Sequence, residues 1–119
     1  MTYTLYGIRN CDTVKKARDW LDKYGVAYAF QDYKLAGVNP DRLKAWCEEF
    51  GWDGVLNRSG VTFRKLADVD KQNLDLGKAM LLMLTQPSMI RRPILDLGTR
   101  RLIGFKPELY REALDVAPR

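Results

Sequence analysis

Histidine is missing from this 119-residue sequence. Its absence excludes the usual histidine-containing zinc sites, the Ser-His-Asp and Cys-His catalytic arrangements, and acid–base catalysis by imidazole. We therefore predict no metal site. Any catalysis has to use a thiolate, a carboxylate, a lysine or an arginine.

Cysteine is scarce, and long apolar runs are absent. The two cysteines, Cys11 and Cys47, are too few and too far apart in sequence to form a disulfide framework. No apolar run approaches the ~20 residues that span a bilayer, and Met1–Leu5 lacks the basic and apolar regions of a signal peptide. These absences predict a cytoplasmic protein without membrane contact, and the length fits one domain over residues 1–119.

The charge of the chain points to anionic partners. The formal net charge is +5 at pH 7 and the pI is near 9.3. Because the basic residues are scattered among acidic ones and accompany no recognition motif, we do not expect nucleic acid binding. A small oxyanion or an acidic protein fits this charge equally well, and no uncovered apolar face demands a dimer, so we expect a monomer.

The first third of the chain predicts a βαβ unit with parallel strands. A β-branched and aromatic run at 3–6 predicts a strand, and the segment 26–33 alternates well enough for a second strand. Between them a helix begins at Cys11 and ends at Gly25. Its inward residues, at helical spacing, are Val14, Ala17, Leu21 and Tyr24.

The middle of the chain predicts helices and the end returns to strands. Asn39-Pro40 is a typical helix start, and a second helix is expected from about Asp75 to Thr85. Segments 93–97 and 101–105 predict a β-hairpin, and Pro107 starts a last helix. The apolar stripes expected on the helices are Leu43, Trp46, Cys47 and Phe50, and then Leu109, Tyr110, Ala113 and Leu114. This order predicts an α/β fold with a helical insertion at about 39–88.

Cys11 is the candidate nucleophile. Unpaired backbone N–H groups and the helix dipole favour an anion at a helix N-terminus, and the thiolate is the nucleophilic form of cysteine. Nearby cations at Arg9, Lys15, Lys16 and Arg18 add positive potential. The alternative is that Cys11 is an ordinary small residue near a helix start.

No second cysteine follows Cys11 within the same helical turn, because Val14 occupies the position three residues on. An oxidised Cys11 therefore needs an external thiol, which restores it through a mixed disulfide. Cys47 lies in an apolar stripe and is predicted to be a buried core residue. The alternative for Cys47 is a resolving cysteine, which would require access and positive surroundings.

Arg92-Pro93 at the start of a predicted strand is the third signal. A proline at the first residue of a strand is common at sheet edges and needs no functional explanation. Combined with Cys11, however, Arg92 is a candidate for bidentate oxyanion binding, which arginine performs better than lysine.

Several segments together resemble the arsenate reductase ArsC/Spx family, in particular its YffB-like branch. They follow the family order and cover nearly the whole chain: Leu5 to Thr13 with Lys15-Lys16-Ala17, Leu56 to Gly60, Phe63 to Leu66, Arg91 to Leu95, and Ile103 to Phe105. The resemblance implies a thioredoxin-like fold with a mixed sheet, a helical insertion, and a cis-proline, Pro93, that faces the cysteine. It also implies reduction through glutathione and glutaredoxin, with no bound cofactor.

The resemblance implies which residues form the site, and this sequence differs from the family pattern at two of those positions. Cys11 matches the catalytic cysteine, and Arg92 matches one of three oxyanion-binding arginines. Arg58 lies one residue from the second arginine position, and Lys106 stands where the third arginine is expected. With Asn10 and Pro93, these residues form the predicted substrate or glutathione site. These two differences from the family pattern argue against arsenate as the substrate more strongly than they argue against thiol chemistry.

We therefore predict a glutathione-dependent thiol oxidoreductase that acts on a small oxyanion or a disulfide. The alternatives are an Spx-like regulator that binds RNA polymerase and a non-catalytic relative of the reductases. The Spx redox switch resembles Cys-X-X-Cys, so Val14 argues against a regulator of that type.

Overall fold

The computed structural model describes residues 2–115. Their contacts divide into two compact units. The first, which we call the sheet unit, contains the residues up to Asp32 and those from Arg92, and the second, the helical unit, is Tyr33–Arg91. The insertion predicted at about 39–88 falls inside the helical unit. No helix among the described residues is long and apolar enough to cross a membrane.

The sheet unit contains four strands and two helices. These are β1 (Tyr3–Gly7), α1 (Asp12–Lys23), β2 (Tyr28–Asp32), β3 (Ile94–Asp96), β4 (Arg101–Ile103) and, last in the chain, α8 (Pro107–Leu114). The helical unit contains α2 (Tyr33–Ala36), α3 (Pro40–Phe50), α4 (Trp52–Val55), α5 (Val61–Arg64), α6 (Asp68–Lys71), α7 (Leu76–Thr85) and a 3-10 turn at Pro87–Met89.

The strands form one mixed sheet in the order β2-β1-β3-β4. β1 pairs with β2 in parallel, whereas the β1–β3 and β3–β4 pairs are antiparallel. The predicted βαβ unit, the C-terminal hairpin and the thioredoxin-like α/β fold are confirmed. β1 extends one residue beyond the prediction, to Gly7, whereas β2, β3 and β4 are shorter than predicted. β2 begins only at Tyr28, and the segment from Tyr33 starts α2 instead.

A row of leucines across the sheet forms the centre of the sheet unit's core. Leu5 lies opposite Leu95, and Leu95 lies opposite Leu102, so all three share one face of the sheet. α1 and α8 pack on this face. The buried cluster consists of Leu5, Ala17, Trp20, Leu21, Leu95, Leu97, Leu102 and Tyr110.

The inward face of α8 differs from the prediction. Tyr110 is buried and makes edge-to-face contacts with Trp20 and Phe105, at ring-centroid distances of 5.5 and 4.8 Å. Burial raises the pKa of the Tyr110 hydroxyl above its ordinary value, so the side chain is neutral. Leu109, predicted to face inward, is 40 % exposed. The aromatic cluster determines the rotation of α8, and this orients Leu109 away from the core.

Capping side chains start the two long helices of the helical unit. The Asn39 side chain accepts hydrogen bonds from the N–H groups of Asp41 and Arg42, as the Asn-Pro sequence predicted. Asp75 accepts from the Lys78 N–H at 2.8 Å and caps α7. The four single-turn helices of this unit were not predicted from the sequence, because each is too short to show a periodic pattern.

Gly7 ends β1 and allows α1 to begin close to the sheet. A Cβ atom at this position would lie 2.9 Å from Val14 Cγ2, closer than real Cβ contacts. Val14 is fully buried, so it has little freedom to move away. The small residue at the end of β1 is therefore required by the packing of the helix that carries Cys11.

We predict that Gly7→Ala lowers the free energy of unfolding by about 1–3 kcal/mol through overpacking. Gly77→Ala is the matched control, because its Cβ would meet only Asp75 Oδ1 at an ordinary 3.7 Å. Alanine in a helix is favoured over glycine, so the control should keep or raise stability by up to about 1 kcal/mol. Urea unfolding measures both, and an unchanged midpoint for Gly7→Ala would contradict the close packing.

Candidate functional site

Four chain segments meet at one end of the sheet. β1 leaves the sheet at Gly7, which pairs with Asp32 at the end of β2. Tyr6 lies opposite Ile94, where β3 begins, and Ile94 lies opposite Ile103, where β4 ends. The register therefore brings to this end the loop before Cys11, the Arg92-Pro93 segment before β3, and the Lys106 segment after β4.

Cys11 is the N-cap residue of α1. Its backbone is extended, with φ −134° and ψ 123°, and its carbonyl accepts the Lys15 N–H at 2.9 Å. The thiol is free and half-buried. The first-turn N–H groups of α1 lie beside this position, and such groups stabilise an anion. The helix start predicted at Cys11 is confirmed.

Asp32 supports the loop that leads to Cys11. The Arg9 N–H donates a hydrogen bond to Asp32 Oδ2 at 3.2 Å. In the same loop Ile8 is buried and Asn10 is exposed. Asp32 was missed in the sequence analysis. The signal that could have revealed it is the parallel βαβ unit, which brings the last residue of β2 beside the loop that follows β1.

The peptide bond between Arg92 and Pro93 is cis, as the resemblance implied. Pro93 is buried, and its carbonyl accepts the Gly104 N–H at 2.8 Å, so this segment is attached to the end of β4. Arg92 is half-buried. Lys106 is exposed and occupies the N-cap position of α8.

Arg58 lies in the helical unit. The turn that carries it is organised by Asn57, whose Oδ1 accepts from the Ser59 N–H at 3.2 Å and pairs with the Ser59 hydroxyl at 2.9 Å. The Arg58 guanidinium lies 5.9 Å from the centroid of the Trp52 ring. Of the predicted site residues, Asn10, Cys11, Arg92, Pro93 and Lys106 belong to the sheet unit and only Arg58 to the helical unit.

The second cysteine has a different environment. Cys47 lies on α3 and is 4 % exposed. Burial raises the pKa of the Cys47 thiol, which disfavours its thiolate at neutral pH. The interpretation of Cys47 as a core residue is confirmed.

The chemistry available in the sheet unit is therefore a half-buried thiol accompanied by cationic side chains. Arg92 supplies a planar fork that suits carboxylates and oxyanions, whereas Lys106 supplies a point charge. Residues 2–115 contain no group of three or more Cys, Asp or Glu side chains placed to hold a metal ion. This arrangement suits nucleophilic attack by sulfur on an anionic or disulfide substrate.

We predict that iodoacetamide at neutral pH alkylates Cys11 in the folded protein and Cys47 only after unfolding, because buried thiols lack access and thiolate character. Peptide mass spectrometry of samples taken over time measures both sites. Cys11→Ser should leave almost no labelling in the native state. Faster labelling of Cys47 than of Cys11 would contradict the assignment.

Comparisons of the sequence with a family model and with individual proteins agree on one family. The model of the ArsC family matches residues 6–113. An uncharacterised protein of Haemophilus influenzae is 37% identical over 110 residues, covering 92% of this chain and 96% of that protein. The global transcriptional regulator Spx of Streptococcus agalactiae is 31% identical over 113 residues, covering 93% and 82%.

Two solved structures extend the comparison. A YffB protein is 59% identical with a TM-score of 0.92, covering 95% of this chain and 99% of that one. An arsenate reductase (ArsC) related protein from Brucella melitensis is 44% identical with a TM-score of 0.76, covering 98% and 97%.

Proposed function

The chain belongs to the ArsC family, and on this basis we propose that it is a glutathione-dependent thiol oxidoreductase with Cys11 as its nucleophile. The observation that supports this most is the position of Cys11 as the half-buried N-cap of α1, at the sheet end where the Arg92-Pro93 segment also lies. A helix N-terminus favours the thiolate, which is the form that attacks.

The proposed reaction on a disulfide is an exchange. The Cys11 thiolate attacks one sulfur, forms a mixed disulfide, and releases the other sulfur as a thiolate. A glutathione thiolate, or glutaredoxin acting on a Cys11–glutathione disulfide, then attacks and regenerates Cys11. The two electrons that reduce the substrate come from two thiols, which end as a disulfide.

Arsenate is the oxyanion candidate. The Cys11 sulfur would displace an arsenate oxygen, which leaves as water, and form a cysteinyl adduct. Glutathione resolves this adduct and releases arsenite, with two thiols again supplying the two electrons. The 44% identity to a solved structure described as an arsenate reductase (ArsC) related protein supports this reaction class.

Cationic side chains would neutralise the anionic substrate. Arg92 is half-buried, where its charge is screened less than that of the exposed Lys106 and Arg58. We assign Arg92 to an oxyanion or a glutathione carboxylate, with Asn10 and Lys106 of the sheet unit as further binding groups. Pro93 would contribute only its ring or the remaining lone pair of its carbonyl, because proline has no N–H and this carbonyl already accepts the Gly104 N–H.

A regulator is the second candidate, since a relative 31% identical over 113 residues is the global transcriptional regulator Spx. That role would need a redox switch of its own. Val14 lies where the second cysteine of a Cys-X-X-Cys pair would be, which favours the monothiol enzyme. An RNA polymerase pull-down tests the regulator directly, and binding without thiol turnover would favour it.

Oxidised glutathione should add a single glutathione to the protein, at Cys11, because the helical turn of Cys11 contains no second thiol. Intact-mass spectrometry measures the adduct, which should be absent in Cys11→Ser and removed by glutaredoxin. Arsenate or disulfide reduction with glutathione and glutaredoxin should be lost in the same variant. An internal Cys11–Cys47 disulfide without an adduct would contradict the monothiol mechanism.

Arg92→Ala should slow adduct formation with oxidised glutathione about tenfold, as expected for loss of one charge-assisted hydrogen bond. Its rate with the neutral 2-hydroxyethyl disulfide should be unchanged. The matched control is Arg91→Ala, which removes the same charge from an exposed neighbour whose N–H donates to the Val55 carbonyl. Equal slowing in both variants would indicate general charge steering rather than a contact made by Arg92.

A further inference from the structure

A groove runs along one side of α1, beside the edge strand β2. Two adjoining cavities form it, of about 200 and 360 Å³. The smaller is lined by Arg9, Lys15, Arg18, Asp19 and Asp22. The larger is lined by Arg18, Asp22, Val26, Ala27, Tyr28 and Phe30. Because Arg18 and Asp22 line both cavities, we treat them as one feature, the α1 groove, which lies entirely in the sheet unit.

The groove begins one helical turn after Cys11, at Lys15, whose N–H donates to the Cys11 carbonyl at 2.9 Å. Lys15, Arg18 and Asp22 have the spacing of one face of an α-helix. At 1.5 Å per residue, Arg18 is roughly 10 Å along the helix from Cys11. A ligand joined to the Cys11 sulfur and lying along α1 would therefore reach Arg18.

The Arg18 guanidinium is held in place by two contacts with β2. Its carbon lies 4.2 Å from the centroid of the Phe30 ring, and Nε donates to the Tyr28 hydroxyl at 3.3 Å. Neither contact uses the two terminal nitrogens Nη1 and Nη2. A guanidinium oriented in this way offers a fixed pair of donors, the geometry that binds a carboxylate in bidentate form.

Asp22 supplies the opposite charge in the same groove. Its side chain is exposed, and within residues 2–115 neither Asp22 nor Arg18 is part of an ion pair. An arginine and an aspartate that do not neutralise each other suit a ligand with both charges, such as the carboxylate and ammonium groups of an α-amino acid.

We propose that the α1 groove binds the γ-glutamyl head group of glutathione, with Arg18 on its α-carboxylate and Asp22 on its α-ammonium. This rests on the proposed function for the identity of the thiol. In an extended glutathione, the sulfur and the γ-glutamyl α-carbon are roughly 9 Å apart, which matches the distance along α1. The bound disulfide is attacked by the Cys11 thiolate, which forms the Cys11–glutathione disulfide and releases one glutathione thiolate.

Binding of S-methylglutathione tests the groove without any reaction at Cys11. NMR titration should show that Arg18→Ala weakens binding about tenfold, the loss expected for a charge-assisted contact. Lys16→Ala removes a positive charge from the same helix outside the groove and should change binding little. Cys11→Ser should bind like the native protein, so that binding is measured separately from catalysis.

Asp22→Asn distinguishes a zwitterion site from a simple anion site. If Asp22 binds the ammonium group, its loss weakens binding several-fold, whereas a carboxylate that only repels an anion gives tighter binding when it is removed. Because Asp22 is exposed, Asp22→Asn should fold normally. It therefore tests the groove even if Arg18→Ala does not fold. Weaker binding in both variants supports the proposal, and unchanged or tighter binding of Asp22→Asn overturns it.

A kinetic arm separates the groove from the proposed function. Adduct formation at Cys11 should slow in Arg18→Ala with oxidised glutathione but not with 2-hydroxyethyl disulfide. If S-methylglutathione binding depends on Arg18 and Asp22 while neither disulfide reacts at Cys11, the groove is supported and the enzyme activity is not. If both disulfides react at Cys11 but S-methylglutathione binding does not depend on Arg18 or Asp22, the groove proposal is overturned and the proposed activity is supported.

Discussion

β1 is the strand on which the sheet unit depends, because it hydrogen-bonds to β2 on one side and to β3 on the other. These two pairings determine which residues meet at its end. The parallel register brings Asp32 beside Gly7, and the antiparallel register brings Ile94 beside Tyr6. A slip by one residue would move Leu5 from the core to the opposite face and separate the loop of Cys11 from its support at Asp32.

The absence of histidine and the distribution of charge together define the chemistry of the sheet unit. Within residues 2–115 no charged residue is fully buried, so its cations act from partly or fully exposed positions. Solvent and salt weaken such charges when they act singly. The environment of each cation therefore decides how strongly it can bind an anion. Two features favour such binding here: the partial burial of Arg92 and the stacking of Arg18 on Phe30.

The two cysteines show how position alone separates two identical side chains. Cys11 ends a loop, caps a helix and is half-exposed, whereas Cys47 faces the interior of the helical unit. Burial raises the pKa of the Cys47 thiol and removes it from reach. Backbone context therefore distinguishes the candidate nucleophile Cys11 from the buried Cys47.

Local signals in the sequence were enough for the elements that carry most of the candidate site. The start of α1 at Cys11, the Asn39 cap of α3, the start of α7 near Asp75 and the hairpin before Pro107 were all predicted, because caps, turns and short-range periodicity involve residues close in sequence.

Tertiary structure decided the features that depend on residues distant in sequence. The exposure of Leu109 follows from the packing of Tyr110 against Trp20, and the role of Asp32 follows from strand register. Arg18 appeared in the sequence only as one of several nearby cations. Its fixed orientation exists because β2 brings Tyr28 and Phe30 beneath α1. The sequence by itself determined the fold, the family and the position of the candidate nucleophile Cys11 at a helix start. Long-range packing determined how the charged groups around it are oriented, because orientation requires contacts that no local pattern encodes.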